Sequence, residues 1–158
     1  MARESFDRRV RRSAEFDELI ERLVGKERPF QTIRDLLLFS ACLGFSRNQR
    51  KELTGKLAEP IRWDTMVNRK GAEMSINLIA VLSRPDDPEI LSEENFESRI
   101  LLFEEYANGG CAILDALISS STEEPRTIIM RLLEDAIPSG GNGKAADITG
   151  AIEALSGR

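Results

Sequence analysis

The residues of this sequence that could most readily do acid–base chemistry or bind a metal ion are three carboxylates, Glu104, Glu105 and Asp115. Glu104 and Glu105 are adjacent, and adjacent side chains of a helix point about 100° apart, so these two carboxylates do not face one another. We therefore expect them on a solvated helix face. An inward-turned carboxylate would need a cation, for which Arg99 or Arg34 is a reasonable partner, and such a pair would be structural.

Nucleophilic chemistry has little support either, because the chain contains no histidine. This removes Ser–His and Cys–His pairs and the commonest metal ligand. The two cysteines, Cys42 and Cys111, lie in apolar stretches, and we expect both to be reduced and buried. We predict that the protein is not an enzyme, that it has no catalytic residue, and that it needs no metal ion or other cofactor.

A glycine-rich stretch, residues 140–145, invites comparison with a phosphate-binding loop. That loop needs a glycine where Pro138 stands and a serine or threonine where Ala145 stands, and no strand is predicted before it. We therefore interpret residues 138–146 as a flexible linker.

The net charge of −5 hides a strong asymmetry along the chain. Basic side chains are concentrated in residues 1–12 and 45–70, whereas residues 86–135 carry thirteen acidic side chains against three arginines. The only tryptophan, Trp63, stands among basic residues, a combination typical of surfaces that follow a nucleic-acid backbone, although a run of charges can equally be a solvated face. The candidate nucleic-acid-binding residues are Arg8, Arg9, Arg11, Arg12, Arg47, Arg50, Lys51, Lys56, Arg62 and Trp63.

Apolar residues recur with helical spacing along most of the chain, so we predict an all-α (mainly α) fold, a single compact domain of about six helices. Ser13 and Thr122 are predicted as N-caps. A helix from about Thr32 to Gly44 is apolar on nearly every side, which favours a central, fully surrounded position.

Two other stretches give more specific helical predictions. Within residues 92–119 the spacing indicates two helices, and the Asn108-Gly109-Gly110 segment is predicted to end the first one and redirect the chain. The helix over residues 72–82 is predicted to point four apolar side chains inward, namely Met74, Leu78, Ile79 and Leu82.

The stretch from residue 45 to 70 has no firm period, and long segments of this kind are often functional. Leu53 and Leu57 favour a short helix, which Pro60 would end. Ile61, Trp63 and Val67 then alternate weakly, as a short strand or a short hairpin within residues 58–70 would. The predicted organisation along the chain is a basic flexible arm, a helical core domain, a glycine-rich linker and a C-terminal helix, over residues 1–12, 13–137, 138–146 and 147–158.

No apolar run approaches the ~18 residues that a membrane-spanning helix needs. The charged N-terminal residues are not followed by the apolar core of a signal peptide. We therefore expect a cytoplasmic protein with no membrane partner.

Three pieces of the sequence, LLLFSACLGF, EPIRW and LLFEEYANGGCAIL, resemble the DNA phosphorothioation (Dnd) system-associated protein 4 family. The resemblance implies a helical protein encoded beside systems that replace a phosphate oxygen of DNA with sulfur and use the mark in restriction and defence. It implies partners among the other components of such a system and supplies no catalytic residue. The most distinctive part is a box formed by Phe103, Glu104, Glu105, Tyr106, Ala107, Asn108, Gly109 and Gly110.

Two functional hypotheses follow. The first is a non-enzymatic accessory protein of a DNA-modification or restriction system that touches DNA phosphates through the basic residues. The second is a protein–protein adaptor or homo-oligomer without DNA contact, which would use the apolar face of the C-terminal helix.

Overall fold

The computed structural model describes residues 7–137 and shows a mainly α domain, as the sequence predicts. The predicted linker 138–146, the predicted C-terminal helix 147–158 and the first six residues of the predicted arm lie outside the described residues. Within the described part there are six α-helices and one two-stranded sheet. The elements are β1 (Arg9–Val10), α1 (Asp17–Leu23), α2 (Ile33–Ser46), β2 (Ile61–Arg62), α3 (Trp63–Val67), α4 (Ala72–Ser83), α5 (Phe96–Ser119) and α6 (Pro125–Ala136), with 3₁₀ turns at Ala14–Phe16 and Glu93–Asn95.

The longest helix, α5, packs mainly on α2 and runs without interruption through Asn108, Gly109 and Gly110. The predicted break is therefore wrong. A Cβ atom on Gly110 would overlap the backbone oxygen of Ser40 in α2, and one on Gly109 would overlap the backbone oxygen of Gln49. Here the glycines serve close backbone approach rather than a left-handed turn.

Helix α2 begins as predicted, because the Thr32 side chain accepts a hydrogen bond from the backbone N–H of Asp35 at 3.2 Å. It ends at Ser46, beyond Gly44, whose missing side chain makes room for the backbone oxygen of Tyr106 instead of ending the helix. The helix is not fully surrounded. Cys42 lies on its exposed side, so the prediction that both cysteines are buried is correct for Cys111 and wrong for Cys42.

Helix α4 presents a different face to the core from the one predicted. Its buried residues are Ala72, Ile76, Ile79 and Ala80. Of the four side chains predicted to point inward, Ile79 is buried, and the other three (Met74, Leu78 and Leu82) are exposed. Apolar side chains lie on two opposite sides of this helix, so periodicity alone does not fix its rotation.

The basic N-terminal segment is part of the fold from residue 7 onward, which corrects the prediction of a flexible arm for residues 7–12. Val10 is fully buried, and β1 pairs with β2 in antiparallel fashion. The strand at 61–62 therefore pairs with the N-terminal segment, and the predicted hairpin within 58–70 is wrong. The residues around Leu53 and Leu57 form no helix.

The two predicted N-caps differ in outcome. Ser13 caps the turn Ala14–Phe16 by accepting a hydrogen bond from the backbone N–H of Glu15 at 3.2 Å, which confirms the prediction. Thr122 does not cap α6, whose N-cap is Glu124, because Pro125 suits the first helical position. None of the helices within residues 7–137 is long and apolar enough to cross a membrane.

Candidate nucleic-acid interface

The two basic stretches of the sequence meet in space. Residues 8–14 and 56–63 run antiparallel, and we call this pair of segments the basic ribbon. The Cα atoms of Arg9 and Arg62 are register partners, and an isolated bridge joins Ser13 to Leu57. Three backbone hydrogen bonds extend the pairing, from Trp63 N to Arg8 O at 2.8 Å, from Ala58 N to Arg12 O at 3.0 Å and from Ala14 N to Lys56 O at 2.9 Å.

Within the ribbon, residues 9–11 alternate between exposed and buried side chains, as expected for extended backbone. Val10 faces the core, whereas Arg9 and Arg11 are each about half exposed, at 49% and 48% of the side chain. Arg62, the register partner of Arg9, is 52% exposed. The sequence Arg-Val-Arg at 9–11 is the signal that would have predicted this strand.

Arg11 holds the ribbon on the central helix. Its backbone N–H and its guanidinium both donate hydrogen bonds to the buried carboxylate of Glu104, at 2.7 Å to Oε1 and 2.7 Å from Nη2 to Oε2. The hydrogen bond to this carboxylate raises the pKa of Arg11 above its ordinary value. Because the Glu104 side chain is only 2% exposed, the pair is a structural contact rather than a site open to ligand.

The loop after α2 is held by the neighbouring carboxylate. Glu105 accepts a hydrogen bond from the Arg50 side chain, and its backbone oxygen accepts one from the backbone N–H of Lys51 at 3.1 Å. One turn further on, the Asn108 amide donates to the backbone oxygens of Lys51 and Glu52, at 3.3 and 3.1 Å. No sequence pattern indicates these two roles of Glu105 and Asn108, since both depend on a loop about 55 residues away.

The prediction that Glu104 and Glu105 lie on a solvated face is therefore wrong. The alternative of an inward, structural carboxylate is correct, but its partners are Arg11 and Arg50. Arg99 instead donates to the backbone oxygens of Ile90 and Ser92. Adjacent carboxylates on a helix diverge, so each takes a cation from a different segment of the chain.

Other cations of the predicted set also have acidic partners. Arg8 pairs with Glu93 at 2.6 Å, Arg12 with Asp17 at 2.6 Å, Lys51 with Glu15 at 2.8 Å, Arg62 with Asp64 at 2.8 Å and Arg9 with Asp7 at 3.5 Å. Arg8 and Arg12 are largely covered, whereas Arg47 and Lys56 are exposed and form no ion pair with any residue in the range 7–137. The ribbon therefore offers Arg9, Lys56 and Arg62 to solvent, and Arg47 and Arg50 are exposed nearby in sequence.

Trp63 lies at the edge of the core. Its ring packs edge-to-face on Phe96, with centroids 4.9 Å apart and planes at 86°, and the Arg8 guanidinium lies 3.9 Å above the same Phe96 ring. The Trp63 indole therefore makes its aromatic contact inside the protein, with Phe96.

Neither cysteine is in a setting that activates a thiol. Burial raises the pKa of Cys111 to about 11, and the part of the Cys42 side chain that the protein covers raises the pKa of that thiol as well. A raised pKa keeps both side chains protonated near neutral pH. In the described part of the chain, no three His, Cys, Asp or Glu side chains are grouped so that they could hold a metal ion.

The fold and this surface together define a mainly α protein whose central helix fastens a cationic ribbon. A family model described as DNA sulphur modification system-associated protein 4 matches residues 9–149, so the chain belongs to that family and is associated with a DNA sulphur modification system. The resemblance found in the sequence is thereby confirmed. No curated protein and no solved structure matches the chain.

The box over residues 103–110, which carries the resemblance, has a physical role along its whole length. All eight residues are buried. Its two carboxylates and its asparagine bind the ribbon and the loop after α2, and its two glycines let the backbones of α2 and that loop approach α5.

Proposed function

We propose that the chain is a non-enzymatic accessory protein of a DNA sulphur modification system, and that it contacts DNA phosphates through the exposed cations of the basic ribbon. The observation that carries the proposal is the pairing of residues 8–14 with 56–63, which joins two basic stretches of the sequence into one surface. Lysine and arginine side chains on extended backbone can follow a phosphate backbone without reading its sequence.

The ion pairs on this surface do not prevent such contact. Exposed pairs such as Arg62–Asp64 and Arg9–Asp7 are worth only about 0–1 kcal/mol each, so a phosphate can replace the carboxylate. Arg11 and Arg50 are different, because their partners are buried carboxylates that would be left without a cation. The contact therefore rests on Arg9, Lys56 and Arg62. Arg47 belongs to the same basic stretch of the sequence, residues 45–70, and is also exposed.

The non-enzymatic part of the proposal is supported by the surroundings of the carboxylates and the thiol that could otherwise act in catalysis. Glu104 and Glu105 are buried and bound to arginines, and Cys111 is buried with a raised pKa. We further propose that the protein works in the cytoplasm with other components of the modification system, in restriction or defence.

A gel-shift titration against salt tests the DNA contact. The wild type should retard duplex DNA at ~50 mM salt, and its affinity should fall with a log–log slope of about −0.9 per phosphate neutralised. The triple variant Arg9→Gln, Lys56→Gln, Arg62→Gln should bind at least about tenfold more weakly, and its slope should be smaller by about 2 to 3.

The matched control removes the same number of charges elsewhere. Arg22→Gln, Lys26→Gln and Arg84→Gln change three exposed cations outside the ribbon, so DNA binding should stay close to wild type. Absence of retardation at ~50 mM salt would overturn the proposal. An equal loss in the control would show that net charge, rather than the ribbon, governs binding.

A second candidate is a protein–protein adaptor without DNA contact. The C-terminal helix, which the sequence analysis predicts as the adaptor's interface, lies outside the described residues. The observation that favours an interface is instead the exposed apolar face of α4.

A further inference from the structure

The second half of α6 carries an apolar stripe that residues 7–137 leave partly uncovered. The stripe begins at Ile129, which is buried, and continues at Leu132, which is half-buried. It ends at Leu133 and Ala136, which are exposed, although their spacing from Ile129, i+4 and i+7, keeps them on the same side of the helix. The cover over this side is therefore lost towards the C-terminal end of α6.

At this end of the helix, α6 and α2 form a groove of about 470 Å³. Its apolar lining consists of Phe39, Cys42 and Leu43 of α2 and of Leu132, Leu133 and Ala136 of α6. The two charged residues that line it, Arg47 and Asp135, have opposite signs. Charge therefore does not favour nucleic acid or another strongly charged ligand here, and the lining suits an apolar occupant.

The chain leaves the described residues at this groove. Ala136 lines the groove, and the next residue, Ile137, is the last one that the structure describes. Residues 138–146 follow and contain three glycines. A glycine-rich chain of about nine residues has an r.m.s. end-to-end distance of about 16 Å, whereas the groove-lining part of α6, residues 132–136, spans only about 6 Å. Residues 138–146 are therefore long enough to lead the chain back along the groove.

The residues that come next have the apolar pattern such a groove requires. Ile148, Ile152 and Leu155 recur at i, i+4 and i+7, which is one side of a helix, whereas Glu153 falls on the other side. The family model continues beyond α6 to residue 149. The region that the family shares therefore includes the whole connection from the groove to this stretch.

We propose that residues 147–155 dock as a helix in the groove between α2 and α6 of the same chain, with Ile148, Ile152 and Leu155 against its apolar lining. A short connection holds the segment at an effective concentration in the millimolar range, which favours docking in the same chain over docking on another. The docked side chains are not accessible to a partner protein, so the inference competes with the adaptor alternative. It does not depend on DNA contact and is tested on the full chain without DNA.

The native thiol of Cys42 lies in the groove and serves as a probe of docking. The variants are Ile148→Cys, Ile152→Cys and Leu155→Cys on the apolar side of the segment and Glu153→Cys on its polar side. Under mild oxidation, at least one apolar-side thiol should form an intramolecular disulfide with Cys42 at least about tenfold faster than the polar-side thiol, which has a connection of similar length. Equal rates in all four variants would overturn the proposal, because the connection alone would explain them. Disulfides that join two chains instead would place the segment on a second copy and would also overturn it.

Alkylation of Cys42 gives a second readout without an introduced thiol. The docked segment should cover this thiol, so a maleimide should react at least about threefold faster with Ile152→Asp than with the wild type. Thr149→Asp is the matched control, because it adds the same charge outside the apolar stripe, and its rate should stay close to wild type. Cys111 is buried and should remain unlabelled in each protein, which checks that the domain is folded. A wild type that reacts as fast as Ile152→Asp would overturn the proposal, since the segment would then leave the groove open.

Discussion

At the level of single residues, Glu104 and Glu105 are adjacent on α5, so their side chains diverge and contact different segments of the chain. Adjacency does not indicate which segments these are. Their divergence was predictable from the sequence, and it correctly excluded a carboxylate pair. Their burial was not predictable from the sequence, because Glu104 is stabilised by Arg11 and Glu105 by Arg50. Both arginines are far away along the chain. A charged residue buried next to a partner far away in sequence leaves no periodic signal.

The buried thiol of Cys111 leads to a prediction about pH. Burial raises its pKa from about 9 to about 11, so the folded state keeps a proton that the unfolded chain loses. Stability from this group is complete below about pH 9 and falls as the pH rises towards 11, by about 2–3 kcal/mol in total. Urea denaturation at about pH 8 and about pH 10 should show this decline in the wild type.

Cys111→Ala should flatten that pH dependence even if it lowers stability overall. Cys42→Ala removes the exposed thiol instead and should retain most of the decline. The comparison concerns slopes against pH, so lysine and tyrosine titrations common to all three proteins cancel. A decline of equal size in Cys111→Ala would show that another group causes it.

At the scale of elements, the contact between α5 and α2 explains the glycines. In an isolated helix, Gly→Ala stabilises by about 1 kcal/mol, since glycine is a poor helix former. At Gly110 we expect the opposite sign, because the added Cβ would overlap the backbone oxygen of Ser40 and force the two helices apart. Gly110→Ala should lower the free energy of unfolding by roughly 3 kcal/mol or prevent folding, as measured by chemical denaturation.

A glycine–alanine exchange on the exposed side of the same helix provides the matched control. Ala116 is exposed on α5, so Ala116→Gly should cost only the intrinsic propensity, about 1 kcal/mol. A Gly110→Ala protein as stable as wild type would mean that α2 and α5 do not approach as closely as described.

The elements also show where sequence reasoning succeeds and where it fails. The mainly α fold, the N-cap Ser13 and the start of a helix near Thr32 were predicted because they depend on neighbouring residues. The predicted rotation of α4 was wrong because the helix has apolar residues on two opposite sides, and only packing against α5 and α2 selects the buried side. The predicted helix break at Gly109 and Gly110 was wrong because glycine is equally suited to a turn and to close packing against another backbone. Only the position of the neighbouring backbone shows which of the two applies.

At the scale of the whole molecule, the basic ribbon ties the beginning of the described chain to its middle and to its central helix. No local pattern predicted this, because the pairing joins residues about 50 apart in sequence. Charge alone had indicated two separate basic regions. In the fold, the two basic segments pair with each other and are held on α5. Together they form one basic surface that a phosphate backbone could follow.

The pairing of residues 8–14 with 56–63 leads to a prediction for a chain that lacks residues 1–12. A detached arm could be removed with little effect, but this deletion removes the fully buried Val10 and the cation that balances the buried carboxylate of Glu104. The combined cost, roughly 2 kcal/mol for the core side chain and about 3 for the unpaired charge, approaches the whole stability of an ordinary domain. Thermal denaturation should therefore show an unfolded protein or a Tm lower by at least about 10 °C.

The triple variant at Arg9, Lys56 and Arg62 separates this structural role from charge. It keeps Val10, Arg11 and the backbone pairing, so its Tm should stay within a few degrees of wild type. A truncated chain that melts like wild type would show that residues 7–12 do not stabilise the fold. If the truncation unfolds, its failure to bind DNA says nothing about phosphate contact, because the folded surface is lost with the strand. Only the ribbon substitutions, made in a folded protein, can then attribute DNA binding to these side chains.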